Sequence, residues 1–529
     1  MRRARTAGMA GVTGAVLALS FHAPATAAEQ AGPSASAVAN SRLSSGVASV
    51  QWTSCPTYSD EVIRGLGVTE DKVAAFRSLM KRLECGTVSI PLNHHDSDGR
   101  EIDIAVTRLA ATDEAHRLGA IAVLPGGPGN SGYLDPVLRA ALRNEEMAGL
   151  NERYDIIGLD PRGVGYSTKV ACEPGPRGPD KPGPLTKESA RKIYDAQVAA
   201  NQKCANSDPA FLGQLTTDNV AKDLDLVRAA LGERKLNLLG FSWGTSLGMA
   251  YRSLFPEHTG RAFLDSVAPP WTDLVRHIEG SAEAAESNFG RMAAWLARRN
   301  ETYGLGATAR QVREQVAKLV TDYDKSPTTY TDLQRPIDGS AVADLAKRNS
   351  TEWPRAGKAL AELRTATGTT APPTVKEMFS GGQMMGEPVP GAPEMMNMTM
   401  NWAVACNEDS SRPDFTTAWR AYQQLVKRHP ATGRSWGPPV MCPGWPLPVQ
   451  EPTVKRGSGS LVLAGHVYEF MSAYDWTLQT RRAVGGTVYT VADDVHVSTT
   501  RVPECAADVA KYFETGRIDS GCAGSATPN

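Results

Sequence analysis

One pentapeptide in the sequence has the residue types and spacing of a serine nucleophile. Gly-Phe-Ser-Trp-Gly at 240–244 lies between a strand-like apolar run at 235–239 and a helix-like run at 245–251. In such a strand–turn–helix, the two glycines allow a very tight turn, which presents the serine Oγ at the helix N-terminus. The pattern alone also arises by chance in a chain with 49 glycines, so these flanks are what give it weight. We therefore predict that Ser242 attacks a carbonyl carbon, as in ester or amide hydrolysis.

A catalytic serine also needs a general base, and the chain offers one good candidate. In hydrolases with such an elbow, the orienting acid follows the serine and the histidine follows the acid. Of nine histidines, only His466 and His496 lie after Ser242 in the strand-forming C-terminal part of the chain. His496 follows the last strand-like run in a polar stretch, where an imidazole can reach back over a sheet. We predict His496 as the base and give His466 a structural or pocket-lining role.

A glycine-rich loop can supply donors for the oxyanion. Pro-Gly-Gly-Pro-Gly at 125–129 directly follows an apolar run at 120–124. Glycine lets a backbone N–H approach a substrate oxygen closely. We predict the amides of Gly127 and Trp243 as the oxyanion-binding pair. A plain glycine turn between strand and helix is compatible with the same residues.

Alternating strand and helix patterns surround these residues and predict the fold class. Helical patterns such as 219–231, with apolar residues recurring on one face, lie between the strand-like runs. This alternation predicts an α/β protein with a mostly parallel central sheet flanked by helices, the architecture of the α/β-hydrolases. The predicted strands are 86–90, 102–106, 120–124, 154–159, 236–239, 262–264, 461–464 and 487–491.

The alternation is interrupted once, which predicts an inserted, mainly helical cap. After residue 270 helix patterns dominate, notably 282–299 and 308–323, and the strand pattern resumes after proline-broken loops near 436–453. The predicted organisation is 50–270 for the first part of the core, 271–453 for the cap and 454–529 for the C-terminal part of the core, which carries the acid and the histidine.

The N-terminal residues have the features of a secretory signal peptide. Residues 1–28 combine a basic start, a short apolar segment and a small-residue cleavage site, and 29–49 have the composition of a flexible leader. The apolar segment is too short to span a bilayer, and no cysteine follows it to accept a lipid. We predict a secreted, extracellular protein without a membrane anchor. A net charge of −1 argues against nucleic acid as a partner.

All eight cysteines lie after the predicted signal peptide. An even number of cysteines in an exported chain indicates disulfides, and the absence of Cys-x-x-Cys spacing argues against a metal site. Sequence order favours nearest-neighbour pairing, although eight cysteines permit many other connectivities. The suggested pairs are Cys55–Cys85, Cys172–Cys204, Cys406–Cys442 and Cys505–Cys522.

Several motifs together resemble a known family. They are the loop at 125–129, Gly-Leu-Asp-Pro-Arg-Gly-Val-Gly-Tyr-Ser at 158–167, the elbow at 240–245, Phe-Pro-Glu-His at 255–258 and Leu-Asp-Ser at 264–266. These motifs are similar to those of the secreted tripeptidyl aminopeptidases of actinomycetes, which are relatives of prolyl aminopeptidase. The resemblance runs from about residue 50 to 522 and includes the cysteine positions. It implies an α/β-hydrolase core with a helical cap that admits the free N-terminus of a peptide.

At the orienting acid, this chain departs from the family's pattern. The family usually carries Gly-x-x-Asp after the seventh strand, whereas this chain reads Gly-His-Val-Tyr-Glu at 465–469. Allowing one inserted residue places Glu469 where the family has aspartate, and glutamate also serves in this role in α/β-hydrolases. Glu469 is therefore the predicted acid, and Asp265, after the sixth strand, is the reserve candidate.

The cap departs from the family's pattern as well. Family members often carry an acidic residue just before the first cap cysteine, where it can neutralise the substrate ammonium, but Ala405 precedes Cys406 here. Glu408 and Asp409 are the predicted alternative source of that charge, and a solvated acidic turn is the competing interpretation.

The leading hypothesis is a secreted serine exopeptidase that releases short peptides, with tripeptides implied by the resemblance, from free N-termini through an acyl-enzyme. In this hypothesis Ser242 attacks the substrate, His496 moves the proton and Glu469 orients His496. The reaction requires no cofactor and no metal, and the partner is a peptide or small-molecule substrate. Two alternatives stay open: an esterase or amide hydrolase acting on a small molecule, and a binding protein built on a decayed hydrolase.

Overall fold

The computed structural model describes residues 49–96, 98–173, 175, 181–380, 389–457 and 459–528. The predicted signal peptide at 1–28 and the predicted leader at 29–49, apart from its last residue, lie outside these ranges. Within the ranges, no helix combines the length and the apolar character needed to cross a membrane.

A ten-stranded sheet forms the centre of the described part of the chain. In chain order the strands are β1 Gln51–Thr53, β2 Leu83–Pro91, β3 Glu101–Leu109, β4 Gly119–Leu124, β5 Tyr154–Leu159, β6 Leu236–Phe241, β7 Thr259–Asp265, β8 Leu461–His466, β9 Thr487–Val491 and β10 Gly521–Cys522. They lie side by side in the order β1-β2-β3-β5-β4-β6-β7-β8-β9-β10. The pairs β1–β2, β2–β3 and β3–β5 are antiparallel, and all remaining pairs of neighbouring strands are parallel.

The sheet confirms the predicted fold class, and all eight predicted strands are present. The central strands β5 and β8 are buried along their whole length because helices cover both faces, which explains why they read as continuous apolar runs. The two strands that were not predicted, β1 and β10, have only three and two residues. Segments of that length are too short to show a hydrophobic period.

Seventeen α-helices lie in the described residues. Those before β7 are α1 Asp60–Gly65, α2 Val73–Arg82, α3 Glu145–Arg153, α4 Lys187–Ala205, α5 Pro209–Leu212, α6 Thr217–Ala230 and α7 Trp243–Leu254. Those between β7 and β8 are α8 Leu274–Ala297, α9 Asn300–Tyr303, α10 Ala309–Lys325, α11 Gly339–Ala346, α12 Trp353–Thr365, α13 Pro373–Ser380, α14 Met398–Glu408 and α15 Phe415–Arg428. The last two are α16 Tyr474–Val484 and α17 Pro503–Thr515.

The segment between β7 and β8 is mainly helical and has an apolar core of its own. Helices α8 to α13 contribute to this core, in which the indole of Trp353 is among the largest buried side chains. The start of α10 is fixed by a capping box, because the Thr308 side chain accepts from the Gln311 N–H and the Gln311 side chain accepts from the Thr308 N–H. This segment, which we call the insertion, is therefore folded around a core of its own rather than extended as a long loop.

Four disulfides cross-link the described residues, and they join the pairs suggested by sequence order. Their members are 17 to 36 positions apart in the chain. Closing such loops restricts the unfolded chain and thereby stabilises the folded one. Cys55–Cys85 ties a loop to β2, Cys172–Cys204 ties a loop to α4, and Cys406–Cys442 ties a loop to α14. Cys505–Cys522 joins α17 to β10.

A buried ion pair explains the arginine in the motif at 158–167. Arg162 follows β5, is completely buried, and donates to the carboxylate of Asp223 in α6 at 2.7 and 2.5 Å. It also donates to the carbonyl oxygen of Leu92, after β2, at 2.7 Å. Burial opposes the charge of Asp223, but Arg162 and the hydrogen bond to His94 outweigh it and hold the pKa of Asp223 below its ordinary range. Arg162 thereby holds the ends of β5 and β2 against α6.

Replacing Arg162 should strongly destabilise the protein. Arg162→Met leaves the Asp223 carboxylate buried without its main counter-charge, and we expect the free energy of unfolding to fall by about 3–5 kcal/mol. Urea denaturation of the full-length protein measures the change. Arg310→Met, which removes an exposed pair with Glu314 in α10, is the control and should leave stability nearly unchanged. Equal effects of the two substitutions would contradict this account of Arg162.

Candidate active site

Ser242 occupies a sharp turn between β6 and α7. Its φ is 55°, a left-handed value that a non-glycine residue adopts only where its surroundings enforce it. The glycines of the motif have no room for side chains: a Cβ on Gly244 would lie 2.3 Å from the carbonyl oxygen of Leu124. A Cβ on Gly240 would lie 2.6 Å from the carbonyl oxygen of Gly244. Close packing of α7 against β4 and β6 therefore holds Ser242 in the geometry of a nucleophile elbow.

Two backbone amides beside Ser242 are available to an oxyanion. Gly127 and Trp243 line the same cavity as Ser242, and neither N–H donates a hydrogen bond to another described residue. Trp243 is the first residue of α7, where backbone N–H groups have no acceptor within the helix. Gly127 has a φ of 110°, which favours glycine at this position. Two unpaired donors next to a serine are the arrangement that stabilises a tetrahedral oxyanion.

The structure brings His496 and Glu469 together. His496 lies in the loop after β9, Glu469 lies in the turn after β8, and His496 Nδ1 is hydrogen-bonded to Glu469 Oε1. The side chain of Glu469 is 1% exposed, whereas that of His496 is 23% exposed. Because a carboxylate can only accept, Nδ1 carries the proton in the neutral imidazole, and Nε2 is the basic nitrogen. This is the relation of acid to base in a catalytic triad.

Ser266, which the sequence analysis missed, supports this pair. It follows β7, and its Oγ donates to Glu469 Oε2 at 2.9 Å and accepts from the N–H of Val497 at 2.8 Å. The N–H of Ser472 donates to Glu469 Oε1 at 3.1 Å. Both carboxylate oxygens are therefore fixed by donors. The sequence showed Ser266 only as the last residue of the Leu-Asp-Ser motif at 264–266, which gave it no role. Its strand, β7, lies between the elbow strand and the strand before Glu469.

Ser242 and His496 are linked through residues at the end of β7 but are not hydrogen-bonded to each other. The N–H of Ser242 donates to the carbonyl oxygen of Asp265 at 3.0 Å. Ser266, which follows Asp265, accepts a hydrogen bond from the N–H of Val497, which follows His496. The Oγ of Ser242 forms no hydrogen bond with the described residues. Contacts between nucleophile and base are often long in the absence of substrate and shorten in the Michaelis complex.

Asp265, the reserve acid, contacts a different histidine. Its Oδ1 lies 2.7 Å from His466 Nε2, and its Oδ2 accepts from the hydroxyl of Thr499. His466 is completely buried and does not line the cavity beside Ser242. Asp265 has no hydrogen bond to His496, so the geometry favours Glu469 over Asp265 as the orienting acid.

A cavity of about 260 Å³ opens beside Ser242. Its walls come from both the sheet domain and the insertion and are mostly apolar. The larger apolar side chains are Met249, Trp271, Leu274, Val404 and Met471. His277 of α8 also reaches the cavity; burial lowers its pKa to about 4, so the ring is neutral. No sequence motif indicated this residue, because a single histidine within an amphipathic helix resembles a core residue.

Glu408, at the end of α14, is a buried carboxyl on the wall of this cavity. Its Oε1 accepts from the N–H of Thr217 at 2.6 Å, and no basic side chain among the described residues forms an ion pair with it. Burial raises the pKa of Glu408 to about 8 and outweighs the opposing effect of the Thr217 hydrogen bonds. A buried carboxyl that faces a cavity without a counter-charge is suited to binding a cation.

Asp409, which was predicted together with Glu408, is held by backbone N–H groups and does not share the cavity wall with Glu408. Its Oδ1 accepts from the N–H groups of Leu274 and Ser411, and its Oδ2 accepts from the N–H of Arg412. It is buried and does not line the cavity. The helix ends between the two acidic residues, so only Glu408 faces the cavity.

The loop that carries His496 is also bound to the insertion. Asp494 is buried, and its Oδ2 accepts from Nδ2 of Asn288 in α8 at 2.8 Å and from the N–H of Ser350 at 2.8 Å. Its Oδ1 accepts from the Ser350 hydroxyl at 2.6 Å. One buried carboxylate thereby joins two points of the insertion to the loop of the base.

A larger cavity, of about 680 Å³, lies between the insertion and residues 181–193. None of the predicted site residues lines it, and one of its charged side chains, Arg434, is already paired with Asp324. Ser242 and the two unpaired amides of Gly127 and Trp243 line the smaller cavity instead.

Several known proteins resemble the chain. Residues 119–330 match the α/β hydrolase fold family. The chain is 29% identical to the tripeptidyl aminopeptidase of Streptomyces lividans over 87% of this chain and 88% of that protein. It is 32% identical to serine protease Hip1 of Mycobacterium tuberculosis over 45% of each chain, and 26% identical to carboxylesterase B of the same species over 83% of this chain and 86% of that protein. The chain has the α/β-hydrolase fold, and its resemblance to tripeptidyl aminopeptidases, indicated by the motifs, is confirmed.

Removing the charge of Glu469 should nearly abolish hydrolysis. Glu469→Gln keeps the size of the side chain but no longer stabilises a protonated His496, and we expect kcat to fall by roughly 10⁴-fold. Asp265→Asn is the comparison and should cost much less, because Asp265 does not touch His496. Steady-state hydrolysis and the rate of fluorophosphonate labelling at Ser242 measure both variants. A near-normal kcat for Glu469→Gln beside a large loss for Asp265→Asn would assign the acid to Asp265.

Proposed function

We propose that this chain, an α/β-hydrolase similar to the tripeptidyl aminopeptidases, is a secreted serine exopeptidase. It releases short peptides, tripeptides above all, from free N-termini through an acyl-enzyme. The observation that carries the proposal is the placement of the Glu408 carboxyl in the cavity of Ser242. The named activity of the Streptomyces lividans relative supports the tripeptide as the unit released.

The reaction follows from the geometry of the site. Ser242 Oγ attacks the scissile carbonyl carbon while His496 Nε2 accepts the hydroxyl proton, and Glu469 stabilises the imidazolium that forms. The amides of Gly127 and Trp243 bind the oxyanion of the tetrahedral intermediate. The imidazolium then donates its proton to the leaving amine, the C–N bond breaks, and water activated in the same way hydrolyses the ester on the serine.

Glu408 gives the site its requirement for an N-terminus. In the buried wall of the cavity its carboxyl lacks a counter-charge and is mostly neutral below about pH 8, and the ammonium group of a peptide stabilises its ionised form. A chain that continued past this point would present a neutral amide, which supplies no counter-charge and gains no ion pair. The site thus favours a substrate whose free N-terminus lies inside the cavity, as an aminopeptidase requires.

The proposed domain organisation and location follow the sequence predictions. We propose that 271–453 is a cap over a core formed by 50–270 and 454–529, since its helices lie between β7 and β8 and contribute to the cavity wall. Four disulfides support an oxidising compartment, and together with the signal-like segment at 1–28 they support secretion.

An esterase acting on a small molecule is the second candidate. The mostly apolar cavity and the similarity to carboxylesterase B favour it. Turnover of short-chain p-nitrophenyl esters that exceeds turnover of every tripeptidyl anilide would support the esterase. Absence of fluorophosphonate labelling at Ser242 in the folded protein would contradict both enzymes and favour a decayed hydrolase that only binds.

Removing the charge of Glu408 should weaken binding of substrates with a free N-terminus. We expect Glu408→Gln to raise KM for a tripeptidyl p-nitroanilide by roughly 10- to 100-fold, because a hydrogen bond between charged groups is lost. The N-acetylated anilide should be a poor substrate of the wild type and should change little in the variant. Glu257→Gln, which alters an exposed carboxylate outside the cavity, is the control. Equal cleavage of free and acetylated substrates by the wild type would overturn the aminopeptidase and leave the hydrolase intact.

The Glu408 contribution should depend on pH. Because the pKa of Glu408 is raised to about 8, its carboxyl is mostly neutral below that pH, and pairing with an ammonium group then requires the loss of a proton. The α-amino group of the substrate loses its own charge near the same pH. We expect the ratio of kcat/KM between wild type and Glu408→Gln to rise toward about pH 8 and then to fall, since the ratio removes pH effects that are common to both proteins. A ratio that stays flat from pH 6 to 9 would exclude an ion pair at Glu408.

A further inference from the structure

A second histidine–carboxylate cluster lies behind the Glu469–His496 pair. His466, at the end of β8, stands between Asp265, at the end of β7, and Asp493, in the loop after β9. Its Nε2 lies 2.7 Å from Asp265 Oδ1, and its Nδ1 lies 2.6 Å from Asp493 Oδ1. All three side chains have no exposed surface. We call these three residues the His466 cluster.

The other oxygens of both carboxylates are occupied by donors. Asp265 Oδ2 accepts from the hydroxyl of Thr499 at 2.5 Å. Asp493 Oδ2 accepts from the hydroxyl of Ser498 at 2.7 Å and from the N–H of Ser525 at 2.7 Å. Every partner is a donor, so both carboxyl groups act as ionised acceptors.

The hydrogen bonds around the bridging ring favour its protonated form. Because both flanking carboxyl groups accept from donors on their other oxygen, an imidazolium that donates from both nitrogens completes the network. Burial alone lowers the pKa of His466, but the charge of Asp265 and the hydrogen bonds to Asp265 and Asp493 outweigh burial and raise the pKa to about 10. The same pairing holds the pKa of Asp493 below its ordinary range despite burial.

Each member of the cluster continues into an element of the proposed site. The carbonyl oxygen of Asp265 accepts from the N–H of Ser242 at 3.0 Å. The carbonyl oxygen of His466 accepts from the N–H of Glu469 at 3.4 Å. The loop that contains Asp493 also contains the proposed base. The cluster therefore joins the end of β7, which is hydrogen-bonded to the backbone of the nucleophile, the end of β8, which precedes the acid, and the loop of the base.

We propose that His466, as an imidazolium, is a positioning residue that keeps the ends of β7 and β8 and the loop after β9 in register for the hydrolysis. This role rests on the function proposed above. The ring donates from two opposite sides and carries the charge that neutralises one carboxylate, and no neutral side chain does both. A displacement of about 1 Å in a reacting group costs about 100-fold in rate. The relative position of these strand ends therefore affects the rate of the reaction.

The charges around His466 set the pH range of the cluster. Asp265, Asp493 and Glu469 favour the imidazolium, and the guanidinium of Arg501 lies near the same carboxylates. Because the folded-state pKa is raised above the ordinary value near 6.5, the stabilisation is complete below about pH 6.5 and is lost as the pH rises through about 10. The cluster is therefore intact throughout the neutral range.

Three full-length variants test the proposal. His466→Gln removes the charge and one donor, His466→Gln with Asp493→Asn also removes the carboxylate left unpaired, and His258→Gln alters a partly exposed histidine–aspartate pair at Asp225 as the control. We expect His466→Gln to lower kcat and the rate of fluorophosphonate labelling at Ser242 by about 100-fold with KM nearly unchanged. The double variant should recover part of that loss, and the control should behave as the wild type.

Histidine-selective ¹⁵N NMR of the wild type at pH 8 supplies a readout that needs no activity and no variant. Both ring nitrogens of His466 should carry protons. A neutral His466, or labelling by His466→Gln at the wild-type rate, would overturn the positioning role. Failure of the wild type itself to be labelled would overturn the proposed function instead, so the two failures are distinguishable. If the single variant does not fold, the NMR spectrum and the double variant still decide the question.

Discussion

The carboxylate of Glu469 is the point at which the catalytic loops are held together. It is removed from solvent and accepts from His496 on one loop, from the N–H of Ser472 in its own turn and from the hydroxyl of Ser266 on a third segment. A charge buried in this way is stable only while its donors stay in place. Each donor therefore fixes the others, and displacing any one loop exposes an unpaired charge. Parallel strands make this convergence possible because β6, β7, β8 and β9 all end at one edge of the sheet.

Two imidazoles lie close to these strand ends, and the number of acceptors around each one separates their roles. His496 has one carboxylate partner and 23% exposure, so its second nitrogen is available to exchange a proton with substrate. His466 has a carboxylate on either side and no exposure, so both of its nitrogens are committed as donors. In the proposed mechanism the same side chain serves as a proton carrier in one environment and as a fixed cation in the other, and the number of carboxylate partners distinguishes the two roles.

The fold was predictable because its signals are local. Runs such as 120–124 and 461–464 are apolar without alternation, and that pattern is the direct consequence of a sheet covered on both faces. The elbow was predictable for the same reason, since its two glycines are required by contacts within one strand–turn–helix. Chain order then pointed to His496, and one inserted residue in a known pattern pointed to Glu469.

The remaining features depend on contacts between distant residues, which leave no local pattern. Ser266 and His277 are single polar residues in ordinary strand and helix contexts, and only the folded chain shows what they face. Glu408 and Asp409 are adjacent and chemically similar, yet one faces the cavity and the other is saturated by N–H groups at a helix end. The strand β10 has two residues, and its pairing depends on the neighbouring β9 rather than on its own sequence.

The bond from Asp494 to Asn288 and Ser350 limits how freely the insertion can be exchanged. A helical insert between two strands looks like a module that can be swapped to change substrate preference. Here Asp494, two residues from His496, is buried and is satisfied by the insertion through Asn288, Ser350 and the guanidinium of Arg291 at 3.5 Å. A foreign insertion lacking these three residues would leave this charge unpaired. A transplanted insertion therefore has to bring the amide, the hydroxyl and the guanidinium with it.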